Sequence, residues 1–62
     1  MGTEFVQRIE VAIKLLKQDW ISPVRLAQYL GTDKESTLSI IQCIGNTDNL
    51  LSNSAGQFHI GT

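Results

Sequence analysis

Few side chains in this 62-residue sequence are of the types that carry out chemistry, and they do not converge. A nucleophile needs a base within reach and a third group to orient that base. The sequence has one histidine, His59, and one cysteine, Cys43, and no spacing ties either to an acid that would complete such a set. His59 reads as an outward polar residue of a short strand. Cys43 reads as a small residue on a helix, without the cationic neighbour that makes a thiol reactive. One cysteine excludes an internal disulfide, and nothing supplies the four Cys/His ligands of structural zinc. Gly31, Gly45, Gly56 and Gly61 lack the strand-to-helix spacing of a phosphate-binding loop. The expectation is a protein that is not an enzyme and uses no cofactor and no metal.

Binding chemistry is the better prospect. Lys34, Leu38 and Gln42 recur at four-residue steps, which places them on one stripe of a helix, with Ser39 and Asn46 as hydrogen-bonding neighbours. A recognition helix shows its partner a stripe of this kind. Its start holds Asp33 and Glu35 beside Lys34, one positive charge against two negative. The whole chain has 5 Lys+Arg against 6 Asp+Glu, a net of -1, whereas most nucleic-acid-binding domains carry a basic excess.

The elements that must position this stripe follow from periodicity and punctuation. Val6, Ile9, Ile13 and Leu16 step by three and four, so a first helix is expected from about Thr3 to Gln18, with Glu10 and Lys14 in the favourable order for a pair one turn apart. Asp19-Trp20-Ile21 breaks the pattern and leaves room for one short β-bridge. Ser22-Pro23 is a helix start, with a hydroxyl cap and a proline at the first helical position, and Ile21 and Leu26 stand at the spacing of a hydrophobic staple. Gly31 ends this second helix at Leu30. Thr32 and Glu35 then read as a capping box opening a third helix that runs to about Ile44 and stops at Gly45. In that helix Thr37, Ile40, Ile41 and Ile44 share the core face, and Leu38 lies at its edge. After a polar turn, Leu50–Asn53 and Gln57–Ile60 flank Ser54-Ala55-Gly56 as a hairpin, with Phe58 and Ile60 facing the helices.

Hydrophobic residues make up 42% of the chain and charged ones 18%, enough apolar matter for one core, so residues 1–62 are expected to form a single domain. Met1–Phe5 reads as a short leader of the kind a cloning vector leaves, and no function is placed there. No apolar run approaches the ~20 residues that span a bilayer, and no leader peptide is visible. The expected home is intracellular, cytoplasmic or nuclear, with no membrane partner. The order helix, short strand, helix, helix, hairpin predicts an α+β winged helix, a three-helix bundle with a C-terminal β-hairpin wing.

Ser22-Pro23-Val24-Arg25-Leu26-Ala27-Gln28, followed by Leu30-Gly31-Thr32 and Lys34, resembles winged-helix domains of the Zα type, found in sensors of left-handed nucleic acid and in double-stranded RNA editing enzymes. The similarity runs from about Val6 to Ile60 and includes Gln7-Arg8-Ile9. It implies that Lys34 takes the place of the phosphate-contacting lysine opening the recognition helix, and Phe58 that of the last-strand aromatic, usually tryptophan. Leu38 stands where the family places an asparagine, Gln42 where it places the base-facing tyrosine, and the paired prolines of the wing are missing. The resemblance is therefore to a divergent copy.

Two readings of function follow. In the first, helix 3 and the wing meet the backbone of double-stranded DNA or RNA, with Lys34, Leu38, Ser39, Gln42, Asn46 and Phe58 at the contact and Lys14, Lys17, Arg25 and Ser36 in support. In the second, the same fold docks on protein or on a second copy of itself through Leu38, with Tyr29 or Trp20 nearby.

Overall fold

The computed structural model describes residues 2–61, which form α1 (Gly2–Gln18), α2 (Pro23–Leu30), α3 (Lys34–Thr47), β1 (Leu50–Ser52) and β2 (Phe58–Ile60). The class is α+β, three helices followed by a two-stranded antiparallel sheet, an order compatible with a winged helix. The core is built from Ala12 and Leu16 of α1, Ile21, Leu26 of α2, Ile40, Ile41 and Ile44 of α3, and Ile60 of β2.

The α1 helix forms at the expected place, but its buried face is rotated. Ala12 and Leu16 are fully buried and Ile9 and Ile13 pack beside them, whereas Val6 is 50% exposed. Alanine carries little weight in a pattern read from large aliphatics, yet it lets a neighbouring helix approach. Centring the face on Leu16 leaves Val6 about 80° away at 100° per residue.

The α2 helix begins and ends as its residues dictate. The Ser22 hydroxyl accepts from the Arg25 N–H at 3.3 Å, with Pro23 at the first helical position. Gly31 adopts φ 67, the left-handed conformation open to a residue without Cβ. Its N–H donates to the Gln28 carbonyl and the Thr32 N–H to the Ala27 carbonyl, a Schellman ending. Ile21 and Leu26 both reach the core.

Both ends of α3 differ from the sequence reading. The cap is Asp33, not Thr32: the Asp33 carboxylate accepts from the Ser36 N–H at 3.4 Å, and the Thr32 hydroxyl donates to that same carboxylate. Glu35 then sits at the second helical position, one residue short of the reciprocal partner of a capping box. At the other end Gly45 is helical and the helix runs on to Thr47, closing where the Asp48 N–H donates to the Ile44 carbonyl at 2.8 Å. This glycine does not terminate the helix, and a Cβ there would lie 3.4 Å from Cδ2 of Leu50, an ordinary contact with the end of a flexible side chain.

The hairpin pairs Leu50 with Ile60, Leu51 with His59 and Ser52 with Phe58. Asn53 organises its turn, its side-chain oxygen accepting from the N–H groups of Ala55 and Gln57 at 3.0 Å each, and Gly56 supplies the positive φ of 76. The bridge expected after α1 joins Ile21 to Phe58, with two backbone hydrogen bonds of 2.9 and 2.8 Å tying β2 to the α1–α2 link.

Candidate functional site

The α3 helix has two faces of opposite character. Thr37, Ile40, Ile41 and Ile44 are buried, and the Thr37 hydroxyl is satisfied by the Asp33 carbonyl at 2.9 Å. On the other side Lys34, Leu38, Ser39, Gln42 and Asn46 are all exposed. Leu38 is 42% exposed and lies outside the core cluster, so it projects from the helix and does not tuck into the core edge.

Charge on the outward face is confined to its first turn. Lys34 is exposed at the first helical position, between the cap Asp33 and Glu35, both exposed. Hydrogen bonding from the Ser36 side chain, and then from its backbone N–H, holds the Asp33 carboxyl below its ordinary value of 3.8, so it stays ionised at neutral pH. From Leu38 to Asn46 the exposed side chains are neutral, and the Ser39 hydroxyl donates back to the Glu35 carbonyl at 3.3 Å. The segment Asn49–Gly61 contains no Asp, Glu, Lys or Arg. Gly45 against Leu50 sets the start of this uncharged hairpin beside the end of α3.

The remaining expected contact residues lie elsewhere. Phe58 is half-buried, packs on the core and gives both backbone polar groups to Ile21. Ser36 is half-buried and its N–H is spent on the cap. Lys14 and Lys17 are exposed on α1, and the Arg25 guanidinium lies over the Tyr29 ring at 5.9 Å. His59 is not the simple outward residue expected. It is half-buried, its ring centroid lies 5.2 Å from that of Trp20, and its Nδ1 is buried with no hydrogen-bond partner.

Trp20 and Tyr29, expected near Leu38, instead line a groove of about 500 Å³ with Leu15, Gln18, Arg25 and Gln57, and Leu38 is not among its lining residues. The sequence did hold a signal for this groove, since Arg25 and Tyr29 are one helical turn apart and directly follow the Trp20 break. Among the described residues no helix is long and apolar enough to cross a membrane, and no cluster of three or more His, Cys, Asp or Glu could hold a metal ion. No family model matches the chain, and no curated protein or solved structure is similar enough to it to indicate kinship.

Proposed function

We propose that the chain is a winged-helix docking module that meets a protein partner through the outward face of α3. Leu38 carries this reading. It is an apolar side chain 42% exposed on a face whose other members, apart from Lys34 and Glu35 in the first turn, are neutral and polar. Apolar groups central to an exposed polar surface are the usual anchors of protein interfaces. Phosphate backbones are met by clustered cations whose counterions are released on binding, and Lys34 between Asp33 and Glu35 gives little of that drive. Replacing Leu38 with Lys tests the proposal by sedimentation and by pulldown from cell extract. Self-association or capture of a defined partner should fall about tenfold or more. Unchanged association would remove Leu38 from the contact and end this reading.

A second reading, the double-stranded nucleic-acid contact suggested by the Zα resemblance, is favoured by Lys34 standing exposed at the head of α3 with Gln42 and Asn46 along the same face. A low-salt NMR titration with B-form DNA, a left-handed alternating duplex and double-stranded RNA decides between the two. Saturable shifts at Lys34, Gln42 and Asn46 that fade with added salt would favour nucleic acid over protein.

A further inference from the structure

We propose that the groove between the end of α1, the α1–α2 link, α2 and the hairpin turn binds a nucleotide group, a heteroaromatic ring carrying a phosphate. The groove lies apart from the Leu38 face, and its use does not depend on the function proposed there.

Its size and lining suit a small planar ligand. About 500 Å³ is bounded by Trp20 and Tyr29, with Gln18 and Gln57 as amide donors and acceptors and Arg25 as the cation. Ligand sites commonly fall in the range of about 300 to 1,000 Å³ and combine aromatic walls with a few polar groups. The Trp20 indole packs against the His59 ring, centroids 5.2 Å apart and planes inclined by 35°, a contact that restrains the indole as a stacking surface. Stacking on such a surface tolerates any base.

The groove offers an anion the guanidinium of Arg25. Arg25 is exposed, rests over Tyr29 and forms no ion pair among the described residues, so its guanidinium fork keeps its donors for a phosphate. Lys14 is exposed one turn before Gln18 on α1 and is not among the lining residues, so Arg25 is the cation of the groove itself. The acid in the lining is Asp19, and one of its carboxylate oxygens already accepts from the Trp20 backbone N–H at 2.7 Å. Its other oxygen suits a base amino group or a ribose hydroxyl. One unpaired guanidinium and one partly engaged carboxylate complement a ligand with an anionic end and a donor-bearing ring.

The test uses the whole chain, whose only tryptophan is Trp20. Adenosine 5′-monophosphate is titrated while indole fluorescence and backbone amide shifts are followed. Saturable quenching is expected, with shifts at Gln18, Trp20, Arg25 and Gln57 and none at Leu38, Gln42 or Asn46. Adenosine or inorganic phosphate alone should bind about tenfold more weakly, and Arg25→Gln should weaken the monophosphate about tenfold, Lys14→Gln less. Arg25 and Lys14 are both exposed, so neither variant threatens folding. A short single-stranded oligonucleotide identifies the source of the ligand: tighter binding than the monophosphate points to a strand, equal binding to a free nucleotide. Absence of saturation at about 10 mM monophosphate, unchanged affinity in Arg25→Gln, or a proline-rich peptide occupying the groove where the nucleotide does not would each overturn the proposal. Leu38→Lys should leave this binding unchanged, which keeps its failure separate from that of the docking face.

Discussion

The two faces of α3 are made from the same fourteen residues and obey different constraints. Inward, Thr37, Ile40, Ile41 and Ile44 are at most 5% exposed, and each must fill space left by α1, α2 and β2. Outward, Lys34, Leu38, Ser39, Gln42 and Asn46 are free of that demand, so their types answer to solubility and to whatever binds there. The contrast teaches that an unexplained apolar residue is informative only on the second face. Ile40 needs no partner beyond the core, whereas Leu38 does.

The largest effect that could break this contrast is on folding. Ile40 is fully buried, so Ile40→Ala should cost about 2–5 kcal/mol. A core of this size supplies only about 3–5 kcal/mol in all, and the variant should be largely unfolded at room temperature. Leu38→Ala, on the exposed face, should change stability by less than about 0.5 kcal/mol. Urea melts followed by circular dichroism measure both. A Leu38 variant as damaging as the Ile40 variant would place Leu38 in the core and remove the basis of the docking surface.

The next effect separates two glycines that look alike in the sequence. Both Gly31 and Gly45 follow an apolar helical run, and both read as helix stops. Gly31 has φ 67, so Gly31→Ala should destabilise by about 1 kcal/mol. Gly45 is helical, and its added methyl would meet only the flexible end of Leu50 at 3.4 Å, so Gly45→Ala should stabilise by about 0.5–1 kcal/mol. Thermal melts of the two variants should move in opposite directions. Loss of stability at both positions would return the end of α3 to Ile44.

This pair also marks what was legible in the sequence. The α2 helix could be bounded because Ser22, Pro23 and Gly31 each act through their own backbone or a residue three or four away. Gly45 stays inside α3, where it faces Leu50 of a later element, and no local pattern separates such a glycine from a helix stop. The α3 cap was misplaced by one residue because Thr32 and Asp33 are both good caps, and only the folded turn selects Asp33. The core face of α3 and the inward Phe58 and Ile60 of the hairpin were readable from period alone, while the burial of Ala12 in α1 was not. At the candidate site the exposed stripe was visible as a spacing, but the Trp20 groove also takes Gln57 from the hairpin, a neighbour no local pattern supplies.

The smallest effect concerns Asp33, where the two faces of α3 meet, its backbone carbonyl serving buried Thr37 and its side chain standing in water. Its carboxyl is held below the ordinary value of 3.8 in the folded chain, first by the Ser36 side chain. A carboxyl depressed by folding contributes stability that is complete above its unfolded value and is lost as the pH falls through the lower folded one. An asparagine in its place would keep a capping oxygen but lose the ionisation, so the urea midpoint of Asp33→Asn should vary less with pH than that of the native chain as acid is added below about pH 5. An NMR titration of the Asp33 carboxyl supplies the second measurement, a midpoint below 3.8. Parallel midpoint curves for the two proteins, or a carboxyl titrating at its ordinary value, would show that Asp33 is not the cap. In that case Thr32 would open α3, and Lys34 would fall at its second position. The same substitution also leaves Lys34 facing only Glu35, so any phosphate contact at the head of α3 should tighten in Asp33→Asn, while a protein contact centred on Leu38 should hold its strength.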